Sequence, residues 1–311
     1  MDLATGIIAA PVLPLDESDS IDWSTLGRYM EAIAAGRPRA IAMNMAVSEV
    51  SSLSIAEQIE VIRYAKRVLA DGCTLVSGVN TTNGPAAVEL GCQMIEAGAE
   101  ALVVFPPVPA FLGPVTVSMV EDFHGYIAEH LGVPLIAFET NFISYPAGSI
   151  TALSRIHNVV SIKDASFNID HTVANVKENA KSDRPIGMLT GSDTFVLEAM
   201  LMGCDGALIG LAATATAALV EMHELVAARK ITEAFDIWDR IAPIARIGWR
   251  APIRDYRVRM KYVLMRQGVI PNMRVRVPFP GLSEIDRNDL DEAFDQCGFN
   301  APRFHPAGVK R

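Results

Sequence analysis

The stretch "NVVSIKDASF", residues 158–167, carries the side chain with the clearest chemical potential. Val159, Val160 and Ile162 read as part of a buried strand, and Lys163 stands near its end. A lysine is almost never fully buried unless something pairs with it. Side chains alternate along a strand, so Ser161 and Lys163 share one face while Ile162 and Asp164 share the other. If the Lys163 face is the interior, a partly dry pocket disfavours the ammonium and lowers its pKa. That is what an amine needs in order to attack a carbonyl and form a Schiff base. The competing role is structural, with Lys163 paired to Asp164 or reaching out to solvent. Glu139, at the end of "PLIAFE", is a candidate catalytic acid or base. It alternates to the opposite face from Phe138, so it points inward only where the strand has already ended; otherwise it serves a buried hydrogen bond or salt bridge. Glu49 can act on substrate or tie down its own loop. Ser192 and Asp193, after Gly191 in "TGSD", can cap the next helix, whose N-terminus could also hold an anionic group.

Such residues must be held by the elements that precede them. Eight apolar runs are strand candidates, at 6–13, 40–44, 74–79, 101–106, 134–139, 159–165, 186–191 and 206–211. Between them lie stretches with apolar residues at helical spacing, several ending at glycine. Strands this apolar on both faces belong to a parallel sheet covered by helices. Eight such units closing near residue 228 predict a (β/α)8 barrel over 1–228. A doubly wound sheet is the alternative, although the first strand lacks a glycine-rich phosphate turn. Residues 229–311 predict a C-terminal helical region packed on the barrel, with a poorly ordered tail, "NAPRFHPAGVKR". Barrel active sites lie at the C-terminal ends of the strands, where Glu49, Asn80, Phe105, Phe138, Lys163 and Gly191 fall.

Composition excludes several partners. The chain has 311 residues, half of them hydrophobic, with 27 basic and 36 acidic residues for a net charge of −9. Nucleic-acid binding needs a clustered basic footprint, which this chain lacks. The run "RDYRVRMKYVLMR" reads as a solvated or interface-forming helix face. No apolar stretch is long enough to predict a membrane span. The acidic start "MDLATG" does not read as an export signal. Cys73, Cys92, Cys204 and Cys297 form no CxxC pair and read as core residues of a reducing compartment, which predicts a cytoplasmic enzyme. The six histidines show no metal-ligand spacing, and His124, His130 and His223 fall on predicted helix surfaces. No metal or other cofactor is expected.

Several motifs, in order along nearly the whole chain, resemble the dihydrodipicolinate synthase / N-acetylneuraminate lyase family of Schiff-base aldolases. They are "GIIAAPVLPLDESDSID", "LVSGVNTTNGPAAVELGCQMIEAGAEALVVFPP", "NVVSIKDAS", "TGSD" and "VRVPFPGLSE". The resemblance implies a (β/α)8 barrel, usually tetrameric, with Lys163 as the Schiff-base lysine. It also points to Ala46, Val47, Glu49, Phe138, Gly191, Ser192 and Ile209 as substrate-binding positions. The departures are specific. The family's Gly-Thr-Thr-Gly-Glu carboxylate loop reads "MAVSE" here, with Ala46 and Val47 in place of the hydroxyl donors. The family's catalytic tyrosine falls on Phe138, its synthase arginine on Ile143, and its paired tyrosines on Pro107 and Val108. A phenylalanine has no proton to exchange, so the usual relay cannot run through Phe138. With Met45, Val47 and Phe142 added, the pocket is expected to match carboxylate-rich substrates poorly.

The expected activity is that of a class I lyase, an aldolase or hydro-lyase, acting on a 2-oxo acid less polar than aspartate semialdehyde. The alternatives are a true 4-hydroxy-tetrahydrodipicolinate synthase with a rearranged relay, or a catalytically silent barrel that binds a small molecule or partner. A dimer or tetramer is expected, with Val108, Phe111 and Leu112 as contact points.

Overall fold

Eight short strands of almost wholly buried residues close on one another in chain order, β1 pairing with both β2 and β8 and every pair parallel. The computed structural model describes residues 2–69, 73–107 and 112–298. The strands are β1 (Gly6–Ala9), β2 (Ala40–Met43), β3 (Thr74–Val79), β4 (Ala101–Val104), β5 (Leu135–Thr140), β6 (Val159–Ala165), β7 (Gly187–Thr190) and β8 (Gly206–Ile209). Helices α1 (Trp23–Ala35), α2 (Ile55–Val68), α3 (Gly84–Ala97) and α4 (Val117–His130) follow the first four strands. The later strands are followed by α5 (Ser149–Ser154), α6 (Ile169–Asn179), α7 (Val196–Leu201) and α8 (Thr216–Ala227). This is the (β/α)8 barrel that the alternation of apolar runs predicts.

Local signals start and stop the helices where the chain must turn. Asp22, Ser54, Asn83 and Thr116 each accept a backbone N–H of the first turn, and Ser54 with Glu57 forms a full capping box. Gly98 ends α3 at φ +117, a left-handed conformation that a side chain would resist. The register of β5 against β6 shifts between Leu135 and Ile136, after which Phe138 lies opposite Lys163 and Glu139 opposite Asp164. That register decides which side chains meet at the top of the barrel.

Beyond the barrel come α9 (Ile231–Gly248), α10 (Tyr256–Arg266) and α11 (Glu284–Cys297). Helix α9 packs on α8 and α11. The expectation for the arginine-rich run is corrected here, because Arg257, Arg259 and Lys261 of α10 are all buried. Distant acids make this possible: the Lys261 Nζ donates to Glu49 Oε1 and to the Arg274 carbonyl, and Arg259 Nε lies 3.0 Å from Asp286 Oδ2. A buried charge needs such partners. His124 is likewise fully buried rather than on a helix surface. Its Nδ1 lies 2.7 Å from the Val120 carbonyl, and burial pushes its pKa down to about 4, so the ring is neutral.

All four cysteines are free thiols. No helix among the described residues is long and apolar enough to cross a membrane. Of the expected contact residues, Val108 and Phe111 lie outside the described residues, as does the 300–311 tail. Leu112 is 64% exposed.

Candidate active site

The strand ends converge on a cavity of about 360 Å³. Ala46 and Val47 reach it after β2, Phe138 from β5, Lys163 from β6, Gly191 and Asp193 after β7, and Gly210 after β8. The far wall comes from the chain beyond the barrel and includes Trp249, Arg254, Tyr256, Arg257 and Phe279. A second cavity of about 390 Å³, between Tyr29, Gly36, Ala215 and Leu264, holds none of the strand-end residues.

Strand alternation puts Lys163 inside and Asp164 behind the barrel wall. Lys163 does not pair with Asp164, whose Oδ1 accepts the Ser166 amide at 2.9 Å. Its Nζ lies 4.4 Å from the centre of the Phe138 ring, and Phe138 in turn meets Phe105 edge to face at 4.9 Å. Gly191 makes room for this arrangement. A Cβ there would stand 2.7 Å from Lys163 Cε and 2.8 Å from Ala165 Cβ, closer than atoms tolerate. Gly210 does the same for Trp249, whose Cζ2 would be 2.8 Å from an added Cβ.

The electrostatics centre on Lys163 and Asp193. Burial drives both toward neutrality, Lys163 down to about 8 and Asp193 up to about 7. Each is partly held in its charged form by the other, and Asp193 Oδ1 also accepts the Leu211 amide at 2.7 Å. Near neutral pH Lys163 therefore supplies far more free amine than an ordinary lysine, beside a group that can give or take a proton. Tyr256 also lines the cavity, with a buried hydroxyl that has no hydrogen-bond partner among the described residues. Burial pushes that phenol well above its usual range.

The cavity brings together Lys163, Ala46, Val47, Phe138, Gly191 and Asp193, but not Glu139, Glu49, Ser192 or Ile209. Glu139 is corrected as a catalytic group. Strand β5 continues through Thr140, so alternation still holds and Glu139 faces the helices behind the barrel. There it accepts the Tyr145 amide at 2.5 Å and Asn175 Nδ2 at 2.7 Å, and both its oxygens lie 3.0 Å from His171 Nε2. Glu139, Asp164 and His171 bring ligand-type atoms within 4.8 Å of one another, but the Glu139 oxygens are already engaged in that network. Glu49 is corrected as a substrate contact: it is buried at φ +58 and bound to Lys261. Ser192 does not line the cavity either; its Oγ accepts the Phe167 amide at 3.0 Å and steadies the turn after β6. Ile209 is fully buried in β8, one residue short of the cavity-lining Gly210.

Asp193 neither caps a helix nor sits idle, and its strand-end position was the signal for its place beside Lys163. Trp249, Arg254, Tyr256 and Arg257 carried a weaker signal, the aromatic and basic cluster "WRAPIRDYR" in a segment with no barrel strand. The guanidinium groups of Arg254 and Arg257 add to the wall a positive charge that the strand ends alone do not supply.

A sequence profile of the Dihydrodipicolinate synthetase family matches residues 3–297. The chain is 27% identical over 300 residues to a 4-hydroxy-tetrahydrodipicolinate synthase of Prosthecochloris aestuarii, covering 94% of this chain and 97% of that one. It is 25% identical over 302 residues to the Pseudomonas syringae pv. syringae enzyme of the same name, covering 95% and 99%. Among solved structures, a dihydrodipicolinate synthase from Acinetobacter baumannii complexed with pyruvate superposes with a TM-score of 0.86 at 24% identity, covering 95% of this chain and 99% of that one. A dihydrodipicolinate synthase variant described as monomeric gives 0.85 at 16%, covering 94% and 97%. At these identities the structural matches speak to the barrel fold.

Proposed function

The chain belongs to the dihydrodipicolinate synthetase family, and from that membership we propose a class I lyase that acts on a 2-oxo acid through an imine on Lys163. The observation that carries this is Lys163 itself, a buried amine on the cavity wall whose pKa burial lowers to about 8 beside the charge of Asp193. The amine adds to the ketone carbon, and loss of water leaves a protonated imine. As a carbon–carbon bond beyond it breaks, the imine takes up the electron pair and becomes an enamine. Asp193 accepts the proton of the departing hydroxyl and returns one to the enamine carbon, after which water releases the product from Lys163. In the hydro-lyase variant the same electron sink supports loss of hydroxide from the carbon chain.

The relatives' name favours a second reading, condensation of pyruvate with aspartate semialdehyde. Against it stand Phe138 where the family's tyrosine would be, Ala46 and Val47 in the carboxylate loop, and a buried Ile143 in place of the synthase arginine. Losing one positioned acid–base group costs roughly 10²- to 10⁴-fold. Wild type is therefore expected to be a poor synthase, and Phe138→Tyr alone should not rescue it, because the donors at 46, 47 and 143 stay missing. The test is borohydride reduction in the presence of a panel of 2-oxo acids, read by intact mass and peptide mapping, beside a coupled synthase assay. One adduct on Lys163 is expected. No adduct across the panel would sink the imine, and brisk synthase turnover would favour the second reading.

The protein is further proposed to be a homodimer or homotetramer acting in the cytoplasm. The four free thiols support a reducing compartment, and the exposed Leu112 supports a subunit contact near the end of β4. Light scattering at micromolar concentration should give at least twice the monomer mass of 33.6 kDa, and a clean monomer contradicts the assembly.

A further inference from the structure

Arg257 is buried in a way that Arg259 and Lys261, on the same helix, are not. Those two have carboxylate partners in Asp286 and Glu49. Arg257 is only 9% exposed and forms no ion pair among the described residues. Its Nη1 donates to the Arg254 carbonyl at 3.2 Å, and its buried Nε has no hydrogen-bond partner among the described residues. The guanidinium carbon lies 4.3 Å from the centre of the Phe279 ring and 4.9 Å from that of Tyr256. Aromatic contact engages the faces of a guanidinium and leaves its N–H edge to bind in plane, where a carboxylate fits with two parallel hydrogen bonds. An enclosed cation without an anion is costly, and Arg257 lines the cavity that holds Lys163.

The two cations reach that cavity from different elements of the fold. Asp193 acts on both Lys163 and Tyr256, and Arg257 acts on Tyr256 and Lys261, so Tyr256 lies between the two charges. Lys163 rises from the barrel strand, while Arg257 comes from α10 on the far wall. The carboxylate next to the ketone must travel with the ketone to Lys163. A group on Arg257 therefore belongs to the other end of the substrate. Arg254, with its side chain 63% exposed and ion-paired to Asp255 at 3.4 Å, stands toward the mouth.

We propose that Arg257 receives a second carboxylate, remote from the ketone, so that the preferred substrate is a 2-oxo diacid whose middle passes between aromatic walls. The proposal builds on the imine assignment to Lys163, and two measurements keep them apart. The first needs no imine. Trp249 lines the cavity and stacks on Tyr256 at 5.8 Å, so its fluorescence reports occupancy. Glutarate titrated into wild type and Lys163→Ala should change that signal in both, and Arg257→Met should weaken its binding by tenfold or more. The second compares borohydride trapping of 2-oxoglutarate with that of its remote monomethyl ester on wild type, which does not depend on any variant folding. The diacid should reach half-maximal trapping at a concentration at least tenfold below that of the ester. Equal trapping of acid and ester, or glutarate affinity unchanged in Arg257→Met, overturns the anion site while leaving the imine standing. Arg257-dependent glutarate binding without trapping of any 2-oxo acid upholds the anion site and removes the imine.

Discussion

Lys163→Met is expected to eliminate the borohydride adduct and to lower lyase turnover by roughly 10⁵-fold or more, the scale on which loss of a covalent nucleophile is felt. Methionine keeps the volume of the stem and leaves Phe138 a similar neighbour, so the melting temperature should stay at or above that of wild type. Burial already disfavours the ammonium, and removing it takes away that strain on the native state. The pH dependence supplies a second check. Only the free amine attacks, and its pKa is depressed to about 8. The trapping rate on wild type should therefore climb about tenfold per pH unit below that value and level off above it. An ordinary exposed lysine would keep climbing toward about pH 10. A rate still rising steeply at pH 9.5, or an adduct that persists in Lys163→Met, would show that another amine is the nucleophile.

The second large effect belongs to Asp193→Asn, which should reduce turnover by roughly 10²- to 10⁴-fold, the worth of a positioned acid–base group. Two groups on the cavity wall could replace the missing tyrosine. Asp193, pushed up to about 7, is poised to exchange a proton near neutral pH. The Tyr256 hydroxyl has no partner among the described residues, but burial pushes its phenol well above the usual range, which makes it a reluctant acid. Asp193 is therefore the stronger candidate. Its charge also supports the Lys163 ammonium, so removing it lowers the lysine pKa further. The trapping profile of Asp193→Asn should accordingly shift to lower pH even as turnover falls. A merely structural aspartate would not produce that combination. Wild-type turnover in Asp193→Asn, with Tyr256→Phe the more damaging change, would transfer the relay to the tyrosine.

Local information went a long way in this chain. Each of the eight apolar runs became a strand, because residues apolar on both faces have no stable place other than between a barrel interior and its covering helices. Two-residue alternation within "VVSIKDA" was enough to set Lys163 against Asp164, and within "LIAFET" to set Phe138 against Glu139. What alternation could not say was where β5 stops. It runs on to Thr140, and that one extra residue turns Glu139 from a candidate catalyst into the centre of a hydrogen-bond network behind the wall.

Tertiary structure decided the partners. Glu49 and Lys261 lie 212 positions apart, and neither shows in sequence that the other will bury it. The basic run on α10 reads as solvated until Glu49 and Asp286 arrive from elsewhere to neutralise Lys261 and Arg259. Arg257, two residues before Arg259, meets no such acid among the described residues and faces the cavity instead. Short-range periodicity determines which face a side chain occupies, because it follows from backbone geometry alone. Whether that face becomes a salt bridge, a neutral core or a reactive pocket depends on charges and rings brought from distant segments by closure of the barrel and the helices packed on it.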